Sequence, residues 1–359
     1  MTTTHFSWRQ ISSLAALNAA IVISWIAYHN YQPKLLEKFG SQDLSFFLIV
    51  AQSLILVIIP PIAGKVADIM ISKNSNYFVV FTIGVSVTAM IFMSVAFSLQ
   101  TVPFSIVKTL LPFLLVLWLI SMNIFHSPAN SMLELFASKE QLPIAMALIT
   151  LITELIYSIE PIVIYIIEFF GASLTFLTGG ILIILTGYFF RKNAGDAVFK
   201  RETSESSNRT NYLLVLISGL VFGLALSVIM NVLPEKVGQN QLLNNQFSNP
   251  QFFVSVVLAI SALLAFPISF RVRRLGVRVS LITGAILAIL GGLIIINIDM
   301  PIVFYTGCIV FSLAFSIISV SAFPFALSNL SHSKVTYGTG LFFGMSELPN
   351  GLFNLLSSL

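Results

Sequence analysis

The stretch "ALITLITELIYSIEPIVIYII", Ala147 to Ile167, decides how this chain must be read. It is apolar almost throughout and about as long as the ~20 residues a helix needs to cross roughly 30 Å of hydrocarbon. Glu154 and Glu160 nevertheless sit inside it. A charged side chain at mid-membrane costs at least about 2.5 kcal/mol on insertion scales, so such carboxylates are expected to face a bundle interior or a cavity.

The rest of the chain has the same character. Of 359 residues, 57% are hydrophobic and 9% charged, whereas a soluble domain carries about a quarter charged residues. Mean hydropathy is +0.96. The chain therefore reads as an all-α polytopic membrane protein. A lone Cys308 rules out a disulfide framework, and four scattered histidines offer no ligand spacing, so no metal centre is expected. The net charge of +4 does not point to nucleic acid, because the basic residues are confined to short stretches between apolar runs. The first apolar run, 11–31, is long enough to span and lacks a small-x-small cleavage site, which predicts a retained helix rather than a signal peptide.

Matching apolar runs to the spanning length gives 11–31, 44–64, 77–98, 104–125, 143–167 and 172–190, then 212–234, 251–270, 278–298, 301–325 and 336–356. The expected organisation is a six-helix bundle over 1–190, a linker over 191–211 and a five-helix bundle over 212–359. The linker, "RKNAGDAVFKRETSESSNRTN", is the one long polar segment and is expected to be a solvated connection. Its Asn208-Arg209-Thr210 sequon carries no meaning if the segment is cytoplasmic. With the N-terminus inside, only Lys34, Lys38, Lys108 and Lys236 of the 18 Lys and Arg residues fall on outer segments, which leaves fourteen inside. That asymmetry predicts a cytoplasmic N-terminus and linker. Six helices plus five would leave Leu359 at the outer face, so a twelfth helix is expected to be missing.

Two loops narrow the reading. "PPIAGKVADIMISK" (Pro60 to Lys73) follows the second span, and "FRVRRLGVRV" (Phe270 to Val279) occupies the matching place in the second half. The first resembles the helix 2–3 signature of the major facilitator superfamily, with Gly64, Asp68 and Lys73 matching; the basic run usual after Asp68 is replaced by Ile-Met-Ile-Ser. The second loop supplies clustered basics, including Arg273 and Arg274. The resemblance implies two pseudo-symmetric bundles, and a gating role for these five residues. Gly64 would let helices approach closely, and Asp68 would pair with basic groups or with an adjacent helix N-terminus. "HSPANSMLELFASKEQLPIAMALI" (His126 to Ile149) and "GTGLFFGMSELPNGLFN" (Gly338 to Asn354) resemble the glycoside and sucrose type cation symporters of that superfamily.

Inside the spans, Glu154 lies about 11 residues from Pro143, or roughly 16 Å along the helix axis, and Glu160 about 9 Å further out and roughly 120° around the helix. Glu347 lies equally deep in the eleventh span, the counterpart of the fifth, so Glu154, Glu347 and Glu160 are the candidate proton-coupling residues; the alternative for each is a carboxyl that only joins neighbouring helices. Pro161 and Pro349 follow two of these glutamates and can bend their helices. Trp25, Tyr28, His29 and Gln32 recur at helical spacing and suit a sugar or another polar solute, or else an outer aromatic belt. Gln52, Asn123 and Asn231 are further single polar groups, lining a cavity or bonding between helices. Arginine is absent from every span, which disfavours strongly anionic substrates.

These features predict a secondary active transporter, not an enzyme. It would move a small polar solute, such as a sugar or glycoside, across an inner membrane by alternating access, with a proton or another cation as coupling ion and no cofactor. No P-loop is present to bring in ATP. The competing readings are a proton-antiport exporter of hydrophobic or cationic compounds, and a membrane sensor or embedded enzyme. The partners expected are the solute and the lipid bilayer; nothing implies an oligomer.

Overall fold

The structure, a computed structural model, describes residues 6–40, 42–74, 76, 78–101, 104–199, 210–239, 250–297 and 300–358. Among the described residues eleven long helices make up the fold, with no strand. The first half holds α1 (Trp8–Lys38), α2 (Ser45–Asn74), α3 (Val79–Thr101), α4 (Phe104–Ser131), α5 (Leu142–Ser158) and α6 (Glu160–Phe199). The second holds α7 (Tyr212–Gln239), α8 (Gln251–Leu275), α9 (Val277–Asn297), α10 (Pro301–Ser328) and α11 (Val335–Ser358).

Among the described residues nine of these are long and apolar enough to cross a membrane, and the two that are not have separate reasons. α5 is only 17 residues long because Pro161 has no N–H to continue the ladder. The chain turns at Ile159, whose N–H bonds the carbonyls of Leu155 and Tyr157, and the helix resumes at Glu160. The fifth span thus crosses that joint and ends at Gly171, whose φ of 74° is a left-handed backbone position. α11 is diluted by glycine, serine and Glu347.

Most helices run beyond the apolar runs of the sequence, α1 to Lys38 and α2 to Asn74, because hydrocarbon-length matching sees only the buried middle of a helix. The largest departure is at the expected linker. Arg191 to Phe199 continue α6 as helix, and α1 clasps that extension: Arg9 Nε donates to Asn193 Oδ1 at 2.8 Å and Gln10 Nε2 to the Asn193 carbonyl at 3.1 Å. Asn208 and Arg209 of the sequon lie outside the described residues.

Each half packs around its own aromatic and aliphatic core. In the first, the rings of Tyr28 and Trp118 stack at 4.4 Å and 2°, and Phe92 leans on Trp118. α6 lies across α1 and α3. In the second half the matching faces of α7 and α9 frame an apolar groove of about 300 Å³ with Phe311 and Ile318 of α10 in its floor. Large apolar side chains such as Phe169 (81% exposed) and Ile302 (80%) point outward, as a lipid-facing surface requires.

α7 contains a π turn, Val228–Val232, in which the Leu233 N–H reaches back to the Val228 carbonyl. The two halves meet along two seams, α2 against α11 and α5 against α8 and α10.

Candidate functional site

The α2–α11 seam is built from backbone. A methyl group added at Gly340 would collide with the Pro60 carbonyl, and one at Gly64 with the Thr336 carbonyl, so the helices touch main chain to main chain. At its end the Asp68 carboxylate accepts the N–H groups of Thr336 (3.2 Å) and Tyr337 (2.8 Å). These are donors in the first turn of α11, which that helix cannot satisfy itself. Arg273 and Arg274 end α8 exposed, and Lys73 ends α2 exposed; Asp68 pairs with the helix terminus rather than with these cations.

The α5 seam is built from side chains. Below it Ala147 packs against Ala265, Ile268 and Val272 of α8 and Val320 of α10. Higher up, Ser319 Oγ of α10 donates to Glu154 Oε1 at 2.7 Å. The Ser261 hydroxyl of α8 lies against the same carboxyl without closing a hydrogen bond, so Ser261 Oγ and Glu154 Oε2 stay unpartnered. Glu154 is 7% exposed, and no cation faces it among the described residues. A buried carboxyl from one half thus rests on two hydroxyl-bearing helices of the other.

Among the described residues, the contacts named between the halves lie from the linker-side face up to the levels of Ser53–Gly351 and Glu154–Ser319. They include Ser131 Oγ with Thr336 Oγ1 at 3.4 Å and His332 Nδ1 with the Glu134 carboxylate at 3.4 Å. The linker-side face is therefore closed.

The remaining candidates are distributed unevenly. Glu347 is half-buried on α11 and Glu160 half-buried at the start of α6, and the Tyr157 phenol lies within electrostatic reach of both. One turn from Glu347, the Phe343 ring meets His126 of α4 at 4.2 Å. Asn231, in the π turn, donates through Nδ2 to Asn350 Oδ1 at 2.8 Å and to Ser227 Oγ at 3.2 Å. His29 is exposed, and its ring stacks on the half-buried Trp25 at 5.6 Å. Gln32 and Gln52 are half-buried.

Two candidates turn away from any pathway. Tyr28 is wholly buried against Trp118 in the core of the first half, so the helical stripe of α1 divides between the core and the more accessible Trp25, His29 and Gln32. Asn123 is buried and bonds the Leu119 carbonyl of its own helix at 2.7 Å. Conversely, sequence reasoning passed over Tyr157, Ser261, Ser319 and Asn350. Serines and asparagines in spans are common, and only the Asn350 position, one residue past Pro349, offered a signal.

The model of the Major Facilitator Superfamily matches residues 8–353. The chain belongs to that superfamily. No curated protein sequence matches it significantly. Among solved structures, a bacterial homologue of the iron transporter ferroportin in an outward-facing state is similar over 98% of this chain and 91% of its own, at 15% identity and a TM-score of 0.70. The human organic anion transporter TETRAN is similar over 98% and 92%, at 12% identity and 0.70. The E. coli fucose:proton symporter is similar over 96% and 90%, at 12% identity and 0.59. These likenesses concern the fold alone. They reach no finer than the superfamily, so the glycoside and sucrose type resemblance rests on its two segments. As a superfamily member the chain is a transporter.

Proposed function

We propose that this protein is a proton-coupled secondary transporter of a small uncharged polar solute, of the sugar or glycoside class, in a bacterial inner membrane with its N-terminus in the cytoplasm. The observation that carries the reading is the seating of Glu154. A carboxyl buried without a cation is tolerated far better neutral than charged. Here it also bonds across the interface that must part when the linker-side face opens. Proton binding at Glu154 would favour the closed seam, and proton loss would favour its opening. The His29 and Trp25 rings of the first half and the Asn231–Asn350 amides of the second would supply the stacking and hydrogen bonds that a hydroxylated solute needs. Glu347 and Glu160 flank Tyr157 and would sense the solute and share the coupling.

The test is proton movement in liposomes holding the purified protein and a pH-sensitive dye, challenged with a panel of sugars and glycosides and then of organic cations. A sugar that draws protons inward alongside itself, with loss of the response in Glu154→Gln, supports the reading. Proton exit in exchange for an entering cation would replace it with antiport, which the paired carboxylates at Tyr157 would also serve.

A further inference from the structure

A second polar site lies on the linker-side face. It is a cavity of about 320 Å³ walled by α2, the start of α7 and the turn before α11. Lys65 and Ser72 of α2 enter it from the first half, and Ser333, Lys334, Tyr337 and Tyr212 from the second. Both lysines are exposed, and neither has a salt-bridge partner among the described residues. The one acid in the wall, Asp68, has both carboxylate oxygens turned onto the Thr336 and Tyr337 N–H groups, with Lys334 near enough to be felt. The cavity therefore presents two unpaired cations and hydroxyl donors around a carboxylate already engaged elsewhere.

Its surroundings are apolar. On α2, Ile58, Ile62, Lys65, Ile69 and Ser72 follow one another at helical spacing, so a single stripe passes from exposed isoleucines to the lysine and then the serine. Ile58, Ile62 and Ile69 are 47%, 52% and 45% exposed. Opposite, Leu213 and Ile217 of α7 are exposed just beyond Tyr212. Cationic groups at the end of an exposed apolar stripe match a lipid, with its phosphate at the polar end and acyl chains along the isoleucines.

We propose that this cavity holds the phosphate headgroup of an anionic phospholipid from the leaflet at the linker-side face. Because Lys65 belongs to one half and Lys334 to the other, one headgroup bridges them and favours the closed arrangement of that face. The inference is independent of the cargo.

The test places the full chain in nanodiscs of phosphatidylglycerol or of phosphatidylcholine, and counts retained lipid by native mass spectrometry alongside thermal melting. The wild type is expected to retain phosphatidylglycerol preferentially and to melt higher with it. In Lys65→Gln/Lys334→Gln that preference falls about thirtyfold, at about 1 kcal/mol per lysine near the surface, while melting in phosphatidylcholine matches wild type and reports an intact fold. Lys73→Gln, an exposed lysine outside the cavity, should keep the preference. An equal loss in Lys73→Gln, or no loss in the double variant, would overturn the site. Full protection by inorganic phosphate in phosphatidylcholine discs would overturn the lipid as occupant.

Discussion

The two seams between the halves join equivalent helices by opposite means. Along α2–α11 the glycines bring backbones into direct contact, with the Asp68 carboxylate at the seam's end, while along α5 the contact rests on a carboxyl set against hydroxyls. Glycine packing is a geometric fit, indifferent to pH and lost as soon as a methyl intrudes. A carboxyl contact has two chemical states and can be biased by a proton. On the proposed reading one seam would serve as a hinge surface and the other as a sensor, although Glu154 and Glu347 lie at matching depths on matching helices.

Substitution at Glu154 is expected to have the largest effect and tests the sensor side. Glu154→Gln keeps the bond to Ser319 but removes the titration, so solute accumulation driven by a pH gradient should disappear while solute exchange across liposomes persists. Glu347→Gln sharpens the contrast: set beside Tyr157 rather than on the hydroxyls of α8 and α10, it should weaken solute affinity in a thermal-shift titration as well as coupling. Accumulation lost equally in both, with affinity unchanged in both, would mean that the seams do not differ in this way.

Next comes the hinge side. Gly340→Ala forces α11 off Pro60, and overpacking of this kind costs about 1–3 kcal/mol. Cysteine cross-linking across the linker-side face should fall accordingly, at every pH tested. A smaller effect is expected for Asp68→Asn, which removes the charge facing the first turn of α11 but leaves an acceptor, a loss of about 0.5–1 kcal/mol. It should slow turnover with solute affinity unchanged. Least affected of all should be Lys34→Ala, which breaks the exposed pair with Glu168 on the opposite face; transport and melting should match wild type.

What could be read from sequence follows the same division. Helices were legible because hydrocarbon imposes a length on every span, and Glu154, Glu160 and Glu347 stood out because a carboxylate there contradicts its solvent. Asp68 was legible through its loop motif. The partners were not. Ser261 and Ser319 matter only because three helices converge on Glu154, and no local pattern marks one transmembrane serine among many. Tyr28 shows the converse: its spacing agrees with Trp25 and His29, yet Trp118, ninety residues on in α4, draws its ring into the core. The extension of α6 through Arg191 to Phe199 escaped because charge reads as loop, when charge at a helix end that has left the membrane is simply solvated.

The π turn of α7 has a mechanical consequence. It holds one residue more than the α-helical turn it replaces, so the helix carries a residue of slack at Val228–Val232. Taking up that slack would advance the register by about 100° and 1.5 Å without losing the ladder on either side. Asn231 would swing with it and unhook from Asn350. Such a shift would change the grip of α7 on α11 by a single notch, and the amide pair a turn from Glu347 is where it would be felt.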